Sequence, residues 1–578
     1  MHLIEPIRRC IDDIIQGIGS GLKSMILDDF TSSVIGAGYP KSEMLLREVY
    51  LFEYIDTIFE SAERLNHVKC IVILRPTREN IEQLCNELRR PHYRTYNVYF
   101  TNRLGLQTIE KLAEADETEV VRCIREVPLD FHPITPFLFN LKMVNRTFNL
   151  QNDDWLPEGL RRASDGLVST LVALKVNPII RYQTQSQLCK VLAEKVSGLM
   201  KTEAIRNKPW RREAPFDVNS LLLIVDRRFD LITPIVNKWN YYSMIHELFD
   251  IKQNRIDLVN APNRMPKDPK EMLISMENDH FFEENYHKNY GELGTTLKTA
   301  VENLKNATKS QHKVETMEDM KRFIDEYPET RKYASNLHNH VFLMSELTRL
   351  VTEHNLISVS ECEQELACNS GLHSEILKKL RQLVTSNAVR PIDALRLVCL
   401  YTVCRTEKSS SNINDLTKLL KKRDDIKPEE IEFIKQLRQF NLSKPQNLML
   451  DERVQQVTRM IVQGVKGVEN VLTQFKPHLS RVLDELRKGN RLKEAEFAFC
   501  GERYREESPR RVVVFFVGGL TYDESLVADQ YNRAGFESSN RFQVIVGGTS
   551  MHNFRSFMDE VRDAIVERDE PGEISTHH

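Results

Sequence analysis

The stretch that decides the fold reads SLLLIVDRRFDLITPIV from Ser220 to Val236. The residues from Leu221 to Val225 are apolar without alternation, which predicts a strand covered on both faces, as in a parallel sheet. Thr233 and Pro234 predict the N-cap and first residue of a helix. Four apolar residues then follow at helical spacing and predict a buried helix face: Ile235, Trp239, Tyr242 and Ile245.

The loop between strand and predicted helix holds two acids and two arginines, Asp226, Arg227, Arg228 and Asp230. One interpretation is an α/β hydrolase or phosphotransferase that uses Asp226 and Asp230 as nucleophile or metal ligands, because such enzymes keep their chemistry where parallel strands end. The other is that the acids pair with the arginines and brace the loop. No glycine is present to cradle phosphate, and no histidine or second acidic cluster is near. The pattern therefore favours a structural loop, with no catalytic residue, metal or cofactor.

The nine residues from Asp226 to Pro234 resemble the signature loop of the Sec/Munc (SM) family of syntaxin-binding proteins. Other stretches are most similar to its endosomal vacuolar-protein-sorting branch: LREVYLFE at 46–53, LRPT at 74–77, QELAC at 364–368 and KGVENV at 466–471. The resemblance implies a cytosolic, non-enzymatic clasp that chaperones SNARE assembly in membrane fusion.

The bulk properties of the chain agree with a multidomain protein of the cytosol. Its 578 residues exceed a single core, and 28% charged with 41% hydrophobic residues is an ordinary globular composition. The net charge of −3 argues against nucleic acid or an anionic membrane as the main ligand. There is no apolar run long enough to span a bilayer and no signal peptide within the first 21 residues. The ten cysteines lack metal-site spacing, so reduced, buried thiols are expected.

Residues 1–134 alternate apolar strands with amphipathic helices, which predicts an α/β domain. Strands are expected at 25–27, 70–74 and 98–100. The apolar residues between 45 and 55 predict a helix, and a short helix is expected from Thr108 or Gln107. A further helix is predicted over 117–125, with Val120, Val121 and Ile124 turned inward.

Residues 135–250 and 475–570 are predicted to form one discontinuous α/β domain, because strand signals return after a long helical stretch. In the second part, VVVFFV at 512–517 and VIV at 544–546 each precede a glycine pair. The pairs could carry phosphate at a helix N-terminus, but tight strand–helix turning is favoured, since no dinucleotide fingerprint is present. Thr521 and Glu524 have the spacing of a capping box.

Residues 251–474 predict a helical domain, and 571–578 a tail. A lysine-rich helix around 298–305 and a long helix from Tyr333 to His354 predict an extended hairpin, interrupted near Pro328. Its charges could form a solvated face or, with apolar anchors, receive acidic amphipathic SNARE helices. The SM resemblance implies the second role, with Pro328 at the bend, and an arch of two α/β domains with parallel-type sheets and a large helical domain inserted in the second.

The resemblance also implies binding residues in the first domain. An apolar pocket with a carboxylate would accept the N-terminal peptide of a syntaxin through Ile109, Leu112, Val121, Ile124 and Glu126. Asp28 and Pro328 would contact SNAREs in the cleft. Ser33 departs from the arginine of the synaptic branch, which puts a contact with closed syntaxin through that position in doubt.

The expected partners follow from the same resemblance. They are a syntaxin-type SNARE of the endosome or trans-Golgi and vesicle SNAREs, and the long hairpin also permits a small-GTPase effector. The protein is expected to be a cytoplasmic monomer that reaches endosome and Golgi membranes through its partners and binds no nucleic acid.

Overall fold

The computed structural model describes residues 2–58, 64–143, 148–149, 153–206, 219–311, 317–368, 372–405, 410–442, 471–489, 492–501, 509–534 and 542–565, except 253, 260, 263, 267, 277 and 278. The chain forms two compact units. Unit 1 contains Met1–Asp226, Asp484–Leu520 and Ala528–Met551; unit 2 contains Arg227–Leu483, Thr521–Val527 and His552–His578.

The described strands are numbered in chain order. They are β1 Lys23–Leu27, β2 Val49–Tyr54, β3 Leu65–Leu74, β4 Tyr93–Phe100, β5 Val121–Glu126, β6 His132–Thr135, β7 Leu138–Asn140, β8 Phe148–Asn149, β9 Asp154–Trp155, β10 Ile179–Gln183, β11 Ser220–Asp226, β12 Arg255–Asp257, β13 Glu271–Leu273, β14 Phe497–Cys500, β15 Arg511–Val517 and β16 Gln543–Gly548.

The described α-helices are numbered in the same way. They are α1 Ile4–Ile18, α2 Asp29–Gly38, α3 Lys41–Leu46, α4 Arg78–Arg89, α5 Leu106–Ala115, α6 Pro157–Ala173, α7 Gln187–Arg206, α8 Tyr241–Phe249, α9 His280–Asn285, α10 Tyr290–Gln311, α11 Met317–Glu353, α12 Leu356–Ala367, α13 His373–Thr385, α14 Pro391–Cys404, α15 Ser410–Leu420, α16 Pro428–Leu442, α17 His478–Arg487, α18 Tyr522–Ala534 and α19 Phe554–Ile565. None of the described helices is long and apolar enough to cross a membrane.

A five-stranded sheet of order β2-β1-β3-β4-β5 organises the first part of unit 1, and all its neighbours are parallel. Its central strands are buried, with apolar runs such as Cys70 to Leu74, as both-face coverage requires. The three strands predicted from sequence in this region, at 25–27, 70–74 and 98–100, lie within β1, β3 and β4.

Two helices predicted in this region are wrong, because the residues form strands. The stretch 45–55 splits into the end of α3 and edge strand β2, which pairs with β1. The stretch 117–125 leads into β5, which pairs with β4. Here the Asp116 carboxylate accepts the backbone N–H groups of Val120 and Val121, at 2.9 and 3.0 Å, and directs the chain into the sheet. Pairing with a neighbouring strand thus overrides helical spacing.

A seven-stranded sheet of order β14-β10-β11-β15-β16-β7-β6 completes unit 1. The pair β11–β15 is parallel over seven positions, from Ser220 with Arg511 to Asp226 with Val517. Only the outer pairs, β14–β10 and β6–β7, are antiparallel among its described strands. Strands from 132–226 and from 497–548 therefore share one sheet, while the domain boundaries given above stay a prediction.

Unit 2 is mainly helical, around a core that includes α14, where every residue from Asp393 to Val403 is buried. The predicted helix start at Thr233 is wrong: residues 231–240 form turns and irregular chain, and α8 begins at Tyr241. The Thr233 hydroxyl donates to Asp230, at 2.5 Å, instead of capping a helix. The four apolar residues of the predicted face are nevertheless all buried: Ile235, Trp239, Tyr242 and Ile245.

The long helix α11 runs from Met317 to Glu353 and includes Pro328. The predicted interruption at Pro328 is therefore not present. A proline removes one backbone donor, and a helix of 37 residues retains many other hydrogen bonds on either side of it.

Candidate functional site

The predicted peptide-binding residues lie on α5 and β5, at the edge of the five-stranded sheet. We call this region the α5–β5 site and define it by Ile109, Leu112, Val121, Ile124 and Glu126. Leu112 is 1% exposed and belongs to the core of the sheet, against which Val121 and Ile124 pack while remaining half-buried. Ile109, by contrast, is 40% exposed.

The polar side of the α5–β5 site is the exposed carboxylate of Glu126, which ends β5. Its Oε1 accepts the backbone N–H of Leu104 at 2.8 Å and so positions the chain that leads into α5. Leu106, at the start of α5, is 79% exposed and was not singled out in the sequence, although an isolated leucine after Gly105 is a weak signal. The site therefore presents both apolar side chains and a carboxylate at the protein surface.

Asp28 is buried and satisfied within unit 1. Its carboxylate accepts the N–H of Thr31 at 2.7 Å, the N–H of Arg75 at 2.8 Å and the side-chain amide of Asn80 at 2.7 Å. It thereby caps α2 and ties the ends of β1 and β3 together. These contacts give Asp28 a structural task, and its SNARE contact stays a prediction.

At Ser33, where the synaptic branch has an arginine, a cation is present from another segment. The Lys142 ammonium donates to Ser33 Oγ at 2.9 Å. Lys142 has a φ of 48°, and its N–H donates to the side-chain oxygen of Asn140. Burial, and the charge of Arg75, lower the pKa of Lys142 against the opposing effect of Asp29.

The signature loop is held by hydrogen bonds and ion pairs. In unit 1, Asp226 accepts the Ser186 hydroxyl at 2.6 Å, and its N–H donates to Gln183 Oε1 at 3.0 Å. In unit 2, the Nη1 of Arg227 donates to both carboxylate oxygens of Glu524, at 2.7 and 2.8 Å. The Asp230 carboxylate lies 3.9 Å from Arg227, which donates instead to the Asp230 backbone carbonyl at 2.5 Å, so the acid paired with this arginine lies some 300 positions away in sequence.

Asp230 is surrounded by donors. Its carboxylate accepts the backbone N–H groups of Ile232, Thr233 and His478, at 3.1, 2.9 and 3.0 Å. Although burial acts in the opposite direction, Arg227 and these donors lower the pKa of Asp230. Arg228 is also buried. A carboxylate that accepts this many bonds is a poor nucleophile, because each bond stabilises its resting charge.

The loop also lacks the surroundings of a metal centre. Among the described residues, no group of three or more histidine, cysteine, aspartate or glutamate side chains could hold a metal ion. The Glu524 partner was not predicted, yet its capping-box spacing was: the Thr521 N–H donates to Glu524 Oε2 at 2.8 Å, and the Glu524 N–H approaches Thr521 Oγ1 at 3.5 Å.

The glycine pairs serve turning and packing. Gly518 and Gly519 have φ of 86° and 79°, and both N–H groups donate to the Thr549 hydroxyl, at 3.2 and 2.9 Å. The position where a phosphate oxygen would bind is thus filled by a side chain. In the second pair, a Cβ on Gly547 would meet the Phe139 ring at 2.2 Å. This favours the turning interpretation.

The helical hairpin consists of α10 and α11, which contact each other in unit 2. The side chain of Pro328 lies outside the described residues, so its predicted SNARE contact stays a prediction. Where α11 is described, Val341 is an exposed apolar residue, and His340 is buried between Tyr241 and Asp279, at 2.7 and 2.9 Å.

The chain is similar to known proteins over nearly its whole length. The model of the Sec1 family matches residues 23–560. Vacuolar protein sorting-associated protein 45 of Mus musculus is 37% identical, over 97% of this chain and 96% of its own length. The corresponding homologue of Arabidopsis thaliana is 35% identical, over 98% of each chain. A solved structure of the SM protein Vps45 in complex with the Qa SNARE Tlg2 covers 98% of each chain, with a TM-score of 0.86 and 35% identity.

The resemblance inferred from the loop at 226–234 is thus confirmed across nearly the whole length, including its vacuolar-protein-sorting branch. The fold class, with a parallel sheet, a mixed sheet and a large helical part, is confirmed as well. The chain belongs to the Sec1 family.

Proposed function

We propose that this protein binds a syntaxin-type SNARE and promotes SNARE assembly for vesicle docking and fusion in endosomal and trans-Golgi trafficking. The support is the near full-length likeness to Vps45 proteins, one of which has been solved with a Qa SNARE. Assembly is assisted by binding alone: holding one SNARE in an ordered form lowers the entropy that the next partner must lose.

The α5–β5 site is where we place the N-terminal peptide of the syntaxin. The observation that carries this proposal is the exposure of Ile109 on α5, a helix that the buried Leu112 fixes to the core of the sheet and whose leading segment is held by Glu126. Apolar side chains of the peptide would pack on Ile109, Val121 and Ile124, and a basic group or N–H would meet the carboxylate. Such a small contact binds through one or two anchors.

The test is peptide binding, measured by fluorescence anisotropy with synthetic N-terminal peptides of endosomal and trans-Golgi syntaxins. Ile109→Arg should abolish binding because it puts an unpaired charge on the apolar surface. Ile357→Arg is a matched control, since Ile357 is an isoleucine on α12 in unit 2 with 45% exposure. Loss of binding in both variants, or in neither, would contradict the assignment of the site.

We also propose that the protein is not an enzyme. Asp226 and Asp230 are engaged by Ser186, Thr233 and backbone donors, which suits a bracing role. Asp226→Asn should lower the melting temperature. A thermal shift of the wild-type protein by nucleotides or divalent metals, or a hydrolytic turnover abolished by Asp226→Asn at unchanged stability, would overturn this view.

The remaining partners are part of the same proposal. The α10–α11 hairpin would receive vesicle SNARE helices, and the protein would act as a monomer in the cytoplasm, recruited to endosome and Golgi membranes by its SNARE. Size-exclusion chromatography with light scattering, with and without a purified syntaxin cytosolic domain, tests both points: a dimer, or no complex with any endosomal syntaxin, would count against it.

A further inference from the structure

Helices α13 and α15 of unit 2 lie side by side and run in the same direction. At their beginnings, His373 Nε2 and Asn412 Nδ2 both contact the Tyr401 hydroxyl, at 3.1 and 3.2 Å. At their ends, Arg423, just beyond α15, donates to the carbonyl of Val384 on α13 at 3.2 Å. The C-termini of α13 and α15 therefore lie at the same end of the helix pair, which we call the shared end.

The inner faces of the two helices are apolar and buried: Ile376, Leu380, Val384, Ile413, Leu416 and Leu420. Four exposed cations lie on the middle of α13 and just past the end of α15, and we call them the basic patch: Lys378, Arg381, Lys421 and Lys422. Lys378 and Arg381 are one turn apart on α13. Lys421 and Lys422 adjoin Arg423, whose guanidinium contacts the chain from Val384 to Val389.

The basic patch has an excess of positive charge. Neighbouring cations are paired: Lys379 with Glu365, Lys418 with Asp415 and Arg423 with Asp425. None of the four patch cations has an ion pair with any residue in the described parts of the chain. Two exposed acids are close in the chain, Asp424 two residues after Lys422 and Glu375 one turn before Lys378, and together they offset at most two of the four charges.

Stabilising the helix ends does not account for these cations. Cations at a helix C-terminus interact with its unpaired carbonyls. Here Arg423 performs that task, because it donates to the carbonyls of Val384, Ser386 and Val389 at 3.2, 3.0 and 2.8 Å. The patch lysines and Arg381 extend into solvent instead.

The chemistry of the basic patch suits lipid headgroups better than a protein partner. Protein interfaces depend on a buried apolar or aromatic core. The exposed large apolar residues of the described chain do not lie among these four cations, so the patch has charge without such a core. Anionic membranes bind clusters of exposed lysine and arginine by charge alone, at about 1 kcal/mol for each, or roughly fivefold.

We propose that the basic patch binds the anionic headgroups of a phospholipid membrane directly. This contact needs no SNARE, so it is independent of the function proposed above. It would add a weak, salt-sensitive attraction to the membrane that carries the SNAREs. This attraction would raise the rate at which the protein encounters those SNAREs.

The test is flotation of the full chain with vesicles that contain no protein, of phosphatidylcholine with or without phosphatidylserine. We expect binding only to the phosphatidylserine vesicles, weakening as salt rises. The variant K421Q/K422Q should bind about 25-fold less, from roughly fivefold per lysine. The control K190Q/K195Q makes the same change of charge at two exposed lysines of α7 and should bind as wild type does.

Three results would overturn the proposal. One is equal binding of wild type to both kinds of vesicle. Another is an equal loss in K421Q/K422Q and K190Q/K195Q, which would show a general effect of net charge. The third is capture of the wild type, but not of K421Q/K422Q, by immobilised polyglutamate with no vesicle binding, which would assign the patch to an acidic protein. The melting temperature of each variant checks that the fold survives.

Discussion

The signature loop at 226–230 and the α5–β5 site both place carboxylates beside apolar residues, and they use them in opposite ways. In the loop, the Asp230 side chain is only 9% exposed and accepts bonds from several donors. In the α5–β5 site, Glu126 and Ile109 face solvent over a buried Leu112. The comparison teaches that the most recognisable motif of the chain acts on stability, whereas the contact with a partner is assigned to an inconspicuous sheet edge.

The largest effect should come from the loop. Arg227→Ala leaves Glu524 buried without its partner, and breaking a buried ion pair in this way costs about 3–5 kcal/mol. Chemical denaturation should show this loss in the free energy of unfolding. Arg78→Ala, which removes the exposed Arg78–Glu82 pair, is the control and should change little. A small effect of Arg227→Ala would contradict the conclusion that the loop stabilises the fold.

The frame of the α5–β5 site should respond next. Leu112→Ala removes a buried side chain and should cost about 2–5 kcal/mol, from lost burial and the cavity left behind. Leu106→Ala on the same helix is the matched control, because Leu106 is 79% exposed. Equal destabilisation by the two substitutions would show that α5 does not pack as described.

Acid should lower the free energy of unfolding through the protonation of a single histidine near the loop, His478. Burial lowers the pKa of His478 to about 3, from an ordinary value of 6.5. Between pH 6.5 and about 3, this histidine is therefore protonated in the unfolded chain and neutral in the folded chain. This contribution to stability is complete above pH 6.5 and is lost towards pH 3, at about 1.4 kcal/mol per pH unit.

The measurement is the pH dependence of the unfolding free energy in wild type and His478→Gln. Glutamine keeps an acceptor for Arg481, which contacts His478 Nε2 at 3.0 Å. The difference between the two proteins should narrow as pH falls from 6.5. A constant difference would mean that His478 has the same pKa in the folded and unfolded states.

The smallest effect on stability should be that of Ile109→Arg, about 0.5 kcal/mol or less, because the side chain is already partly in solvent. Thermal denaturation checks this, alongside the peptide assay. If Ile109→Arg destabilised the protein as Leu112→Ala does, exposure would no longer separate the proposed binding residue Ile109 from the buried residue Leu112.

Much of the fold could be predicted from local patterns. Continuous apolar runs correctly predicted the buried strands β11, β15 and β16, since both faces of a central strand must be apolar. The capping box at Thr521 and Glu524 was found from spacing alone. Three of the failures, at β2, β5 and the start of α8, lie at sheet edges or in irregular chain, where the deciding contacts come from distant residues.

The candidate site was less accessible to sequence reasoning. The α5–β5 residues came from family resemblance, because an exposed isoleucine and a buried leucine look alike in a helical pattern. The pairing of Arg227 with Glu524 could not be predicted, since the arginine has two acids close by in sequence and one far away. Only the folded chain shows which acid presents both carboxylate oxygens to the arginine.

The two sheets also differ in when they can form. The five-stranded sheet uses residues 23–126 without interruption, so it can pair as soon as that segment leaves the ribosome. Strand β11 must wait for β15, nearly 300 residues later, which takes roughly 15–60 s at ordinary rates of translation. During that interval one edge of an apolar strand lacks its native neighbour, and a newborn molecule depends on cellular chaperones or its own transient contacts to avoid aggregation.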